Sequence, residues 1–178
     1  MDAEEEKKSR DILKWILGQY TRARRRKKEL DERLRRLNEE KENPLSGHGY
    51  DAMPHGTPSN DGAASILFKI SDVEEKILQQ QVTIEKAVVR VMDILDVLPE
   101  NSEEREIAEF FNIDNKSWDE IAEIVHKSKS QLHRDYNDAC DIMLMNERVQ
   151  RIISEQEGAY LTWTVKAETL RLKKLGRI

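Results

Sequence analysis

The chain has 178 residues, 37% of them charged and 6% aromatic, with a net charge of −5, a balance that suits long exposed helices better than one thick core and argues against a uniformly basic nucleic-acid binder. Its single cysteine, Cys140, excludes an internal disulfide and a cysteine-based zinc site and fits a reducing cytoplasm. No apolar run approaches the ~18 residues of a membrane span, and the acidic start (Asp2, Glu4, Glu5, Glu6) lacks the basic-then-apolar order of a secretory signal.

From about Glu4 to Glu40 only Gly18 opposes a helix. Ile12, Ile16, Tyr20, Ala23, Leu30, Leu34 and Leu37 recur near heptad spacing, with Lys27 interrupting. Residues 21–36 hold nine Lys/Arg against three acids, a local charge of +6. The run from Arg22 through Arg24, Arg25, Arg26, Lys27 and Lys28 encircles a helix rather than forming one stripe. It reads equally as a backbone contact to nucleic acid, made by Arg24, Arg25 and Arg26, or as a solvated face. Residues 1–42 thus form an N-terminal helix with a basic run.

Residues 43–62 hold four of the seven glycines and three of the four prolines, which predicts a loop extending to about residue 64. Within it, His48, Asp51 and His55 supply only two imidazoles and no ordering partner, so no metal site is expected. Met53-Pro54-His55-Gly56 reads instead as a fixed turn docked against the helices.

The periodicity predicts a helix over 65–98, about 50 Å long at 1.5 Å per residue. Ile66, Ile70, Val73, Ile77, Ile84, Val88, Val91, Leu95 and Leu98 step by four and three, with Gln80 or Gln81 at one contact. So narrow a stripe is that of a coiled-coil seam. It can pair with the first helix as an antiparallel hairpin or with a second copy of itself, and sequence alone leaves both open.

Pro99 is expected to end that helix. Three shorter helices then follow in residues 99–146. The first runs from about Ser102 to Phe111, capped by Asn101 or Ser102, with Ile107, Phe110 and Phe111 on one face. Ser117-Trp118-Asp119-Glu120 is a capping box that opens the second, whose buried side is Trp118, Ile121, Ala122 and Val125. Ser128-Lys129-Ser130-Gln131 reads as a second box, opening a helix with Leu132, Tyr136, Ala139, Cys140 and Met143 inward. Two boxed starts eleven residues apart have the dimensions of a helix-turn-helix. The turn needs a residue tolerant of positive φ near His126.

Ser117-Trp118-Asp119-Glu120-Ile121-Ala122-Glu123-Ile124-Val125 closely resembles the S-[WY]-x-E-I-A-x-x-L stretch of sigma-factor region-4-like domains. Upstream, Gly49-Tyr50-Asp51-Ala52-Met53-Pro54-His55-Gly56, followed by a long amphipathic helix, resembles small phage regulators related to the RinA and ArpU late-transcription activators. Residues 49–145 carry the likeness. Ala52 stands where that motif usually has glycine, and His126-Lys127 where the turn usually has glycine and an apolar residue. The resemblance implies a phage or prophage protein acting on late-gene transcription in the bacterial host cytoplasm.

In a helix-turn-helix the start of the second helix enters the major groove. With Leu132 and Tyr136 inward, Lys129, Ser130, Gln131, His133, Arg134 and Asn137 face outward and suit base edges. Lys127 and Ser128 are placed for phosphate. Against this, residues 102–145 hold eleven acids and five Lys/Arg, a local charge of −6, which disfavours phosphate and fits a basic surface of RNA polymerase instead. Cys140 and Trp15 read as packing. Residues 147–178 are expected to be a helical extension without clean periodicity, ending in a basic tail (Arg171, Lys173, Lys174, Arg177).

The expectation is an all-α fold: a long helical hairpin or coiled coil followed by a sigma region-4-like helix-turn-helix domain. Its function is sequence-specific binding of double-stranded DNA as a phage transcription activator of late or packaging genes. No enzymatic site, cofactor or membrane contact is expected; host RNA polymerase and a second copy joined through 65–98 are the further partners. The competing readings are a small-terminase-like DNA-packaging adaptor and a polymerase-binding protein without DNA readout.

Overall fold

The computed structural model describes residues 3–43 and 61–175, and every regular element within them is a helix. In chain order these are α1 (Ala3–Leu17), α2 (Gln19–Glu42), α3 (Asp61–Leu95), α4 (Glu103–Asn112), α5 (Trp118–Val125), α6 (Lys129–Leu144) and α7 (Glu147–Lys174). The fold is all-α. None of the helices among the described residues is long and apolar enough to cross a membrane. The Gly49–Gly56 motif, with His48, Asp51 and His55, lies outside the described residues.

Three predicted boundaries are corrected. The first helix is divided at Gly18, the one poor helix former in that stretch, although the Gly18 amide still bonds Lys14 at 3.1 Å. The loop expected to reach residue 64 ends sooner, because α3 already includes Asp61 and Gly62. At its other end α3 stops at Leu95 rather than Leu98. The ring of Pro99 disfavours α geometry at Leu98, and residues 97 and 98 tighten into i→i−3 bonds, Val97 to Ile94 at 3.3 Å and Leu98 to Leu95 at 2.9 Å.

The chain forms two compact units. One, Arg22–Lys86, is a helical pair made from most of α2 and α3. Ala23 and Leu30 are buried on α2, and Ile70 and Val73 on α3. Gln80 donates its Nε2 to the Ala23 carbonyl at 3.1 Å. Arg90, further along α3, donates to Gln19, earlier on α2, at 2.8 Å, so the two helices run antiparallel. Within this unit the predicted stripe packs in one chain at Ile70 and Val73, which are buried, while Ile66, Ile77 and Ile84 are half-buried, and Gln80 adds a donor to a backbone carbonyl of α2.

The other unit comprises residues 1–21 and 87–178. Its core gathers Leu13, Ile16 and Leu17 of α1, Ile94 and Leu95 of α3, Ile107 of α4, Ile121 of α5, and Leu132 and Met143 of α6, all fully buried. Each such side chain contributes about 1.5–3 kcal/mol by leaving water. α1 lies against both α6 and α7: Arg10 pairs with Asp141, Lys14 donates to Asn137 at 2.8 Å, and Lys8 pairs with Glu157. At the other end of the core, Arg105 of α4 reaches Asp96 at 2.8 Å and Glu109 at 2.7 Å, joining α4 to the end of α3.

The extension expected to lack clean periodicity is one continuous helix, α7, running through Gly158. Asn146 caps it, accepting the Arg148 amide at 2.9 Å. Its core anchors are few, Val149 and Ile153. Beyond them Trp15 meets Tyr160 edge-on at 5.7 Å and Trp163 at 6.2 Å. An aromatic docking of this kind does not need a repeating stripe, which is why periodicity failed to announce it.

Candidate nucleic-acid interface

α5 and α6 owe their mutual placement to local chemistry. Ser117 accepts the Glu120 amide at 3.3 Å, and Glu120 accepts the Ser117 amide at 2.7 Å, closing the predicted capping box. The Ser117 amide and hydroxyl together hold the Glu120 carboxyl below its ordinary range. At the other end His126 has φ 54° and ψ 39°, the left-handed geometry anticipated there, and its amide closes on Ala122. Ser128 then caps α6, accepting the Gln131 amide at 3.3 Å. The second box is not completed: Gln131 donates its Nε2 to Asp135 at 2.7 Å, and its oxygen accepts from Arg134 at 2.9 Å. The Arg134 guanidinium, rather than the Ser128 amide, takes the Gln131 oxygen that a capping box needs, while Asp135 holds the amide nitrogen.

Aromatic stacking fixes the crossing of α5 on its neighbours. Trp118 stacks on Phe111 of α4 at 4.3 Å and meets Tyr136 of α6 edge-on at 5.5 Å. On its outer side the His133 ring lies 4.4 Å from it. Beneath them Asn112, 2% exposed, exchanges hydrogen bonds with the Tyr136 hydroxyl at 3.3 Å and donates to Ala108 at 2.9 Å.

The predicted contact residues do not all share one face. Ser128, Lys129, Ser130, His133 and Arg134 are exposed around the start of α6. The amides of Lys129 and Ser130 open the helix where no carbonyl of α6 can reach them, so they point outward with the positive end of the helix dipole. Lys129 is partly neutralised by Asp119 of α5 at 2.5 Å. Gln131 is half-buried, occupied by Asp135 and Arg134. Asn137 is turned toward α1, where it accepts from Lys14.

Lys127 is not free for phosphate. It bonds Glu103 of α4 and, at 2.9 Å, Asp135 of α6, and these hydrogen bonds push its ammonium above its ordinary range. Burial pushes the Asp135 carboxyl up, but Lys127 and Gln131 outweigh it and hold the group ionised. Lys127 therefore ties the turn to α4. Lys14 is the cation missed by sequence reading: it reaches α6 across 123 positions of chain, and its Nζ sits 6.0 Å from the Tyr136 ring.

Arg24, Arg25 and Arg26 belong to the helical pair and are exposed on α2. Arg26 meets Glu29 at 3.1 Å and Arg25 meets the same carboxylate at 3.8 Å. Such one-turn pairs are weak enough to exchange for phosphate. Among the described residues there is no group of three or more His, Cys, Asp or Glu side chains arranged to hold a metal. Compared with family models, curated proteins and solved structures, the chain matches none of them.

Proposed function

We propose that α5 and α6 act as a helix-turn-helix and that the protein is a sequence-specific DNA-binding regulator of transcription. The observation that carries the reading is the start of α6: two outward amides, the Ser128 hydroxyl, and exposed Lys129, Ser130, His133 and Arg134, held on a left-handed turn. Backbone amides at a helix start suit a phosphate. Arg and Lys reach guanine edges, and Ser tolerates either partner. Asn137 and Gln131 are secondary contacts in this reading, since each would first have to leave a protein partner. The likeness of Ser117–Val125 to sigma region-4-like domains supports the helix-turn-helix, and that of Gly49–Gly56 to late regulators of phages extends the proposal to activation of late or packaging genes.

Repeated selection of the full chain against a random duplex library tests this. One enriched motif is expected, bound with an affinity that falls steeply with salt. No enrichment and no salt-dependent binding would remove DNA reading. The acidic first turn of α4 (Glu103, Glu104, Glu106) supports the runner-up, a contact to a basic surface of RNA polymerase. Enrichment of no motif but capture of duplex by a ring-sized oligomer would instead favour the packaging adaptor.

A further inference from the structure

A groove lies between the end of α3 and α4, on the side of α4 away from α6. It encloses about 370 Å³. Its floor is apolar, with Met92 (52% exposed), Phe110 and Ile113, and its rim carries Asp96, Glu106, Glu109 and Asp114. Arg105 answers Asp96 and Glu109, and Lys116 answers Asp114 at 2.7 Å. Glu106 has no side-chain partner among the described residues. The groove is thus apolar inside and negative at its lip, a shape that takes a helix carrying apolar and basic groups on one side.

The chain supplies such a helix. In the last turns of α7, Ala167, Leu170, Arg171 and Lys174 are spaced i, i+3, i+4 and i+7 and share one face. Leu170 is 61% exposed, so none of the described residues covers this face. Groove and helix end belong to the same unit, yet Met92 and Leu170 are both exposed, so the tail does not fill the groove of its own molecule.

We infer that the occupant is the α7 end of a second copy, with Leu170 on Met92 and Phe110 and Lys174 on Glu106. Made reciprocally, the contact closes as a two-fold dimer with two such joints. Charge complementarity selects this occupant: the groove keeps excess negative charge, and residues 159–178 carry a net +4. The inference does not depend on the reading of α6. Each joint is small, so the dimer is expected to form only in the micromolar range and above.

Sedimentation of the full chain from ~1 to ~300 µM tests it. A doubling of mass across that range is expected. Leu170→Glu, at a site exposed in the monomer, should remain monomeric with an unchanged melting curve. Glu106→Arg and Lys174→Glu should each weaken pairing at least tenfold. Mixed together, these two should pair again, because one joint is then charge-swapped and the other is native. A wild type that stays monomeric overturns the inference. So does a Leu170→Glu variant that pairs like wild type, or a failure of the mixture to recover, since pairing then uses another face.

Discussion

Removing one hydroxyl from the centre of the α4–α6 contact separates hydrogen bonding from packing. In Tyr136→Phe the ring keeps its edge-on contacts with Phe111 at 5.4 Å and Trp118 at 5.5 Å, so the apolar burial is conserved. Asn112 keeps its donation to Ala108, but its Oδ1 loses the Tyr136 hydroxyl in a position that is 2% exposed. A neutral hydrogen bond contributes about 0.5–1.5 kcal/mol net, and an acceptor left buried without a donor costs about 1–3 kcal/mol. Both bonds to the hydroxyl are long, 3.3 Å, which places the expected loss at the low end, about 1–2 kcal/mol. All three tryptophans, Trp15, Trp118 and Trp163, lie in the unit that contains this pair, so their emission during urea unfolding follows that unit. Adding Asn112→Ala completes a double-mutant cycle, in which a coupling of about 0.5–1 kcal/mol is expected. A Tyr136→Phe variant within about 0.3 kcal/mol of wild type, or a cycle with no coupling, would refute the argument that this buried pair holds α4 to α6.

Arg134→Ala should lower affinity for a selected DNA site by about 1–3 kcal/mol and leave scrambled duplex nearly unaffected; fluorescence titration at fixed salt checks it, and equal binding to the site removes Arg134 from base reading. Replacing Arg24, Arg25 and Arg26 together with Gln should flatten the salt dependence of DNA binding by up to about three units, whereas an unchanged slope leaves the run in solvent. Val73→Asp, at a fully buried position of the helical pair, should lower helix content by circular dichroism in monomer and dimer alike, because the carboxylate has no partner there; retained helicity would mean the seam is not closed in cis. Burial pushes the Cys140 thiol up to about 11, above its unfolded value. The stability held by the neutral thiol is thus intact below pH 9 and fades as pH rises toward 11, and thiol labelling at pH 8 should be limited by unfolding. Fast labelling of the native protein would contradict that burial.

The sequence was informative where one short stretch decides the structure by itself. The Ser117–Glu120 box closes within four residues, His126 must bridge two caps, and the Ile66–Leu98 stripe is a periodicity along one helix. Each of these came through in the structure, apart from the end of the stripe, where residues 97 and 98 tighten out of α geometry ahead of Pro99. Features that depend on partners far along the chain stayed hidden. Lys127 looked like a free cation until Glu103 and Asp135 folded around it, and Asn137 looked outward until Lys14 arrived from α1. Gln131 was misjudged locally, since the cap amide and the Arg134 guanidinium are both donors that need the same side-chain oxygen, and Arg134 takes it. The docking of α7 rests on Trp15, Tyr160 and Trp163, three rings whose meeting no spacing rule encodes.

α5 is only eight residues long and is entered and left through residues with positive φ, Asn115 and His126. A helix that short has too few internal bonds to outweigh its nucleation cost, since isolated helices under about 12–15 residues are marginal in water. It exists because Trp118 and Ile121 are already seated between α4 and α6. The outward start of α6 consequently has no folding equilibrium of its own. It is assembled or lost together with the core beneath it, and any ligand that grips it adds its binding free energy to the stability of the whole unit.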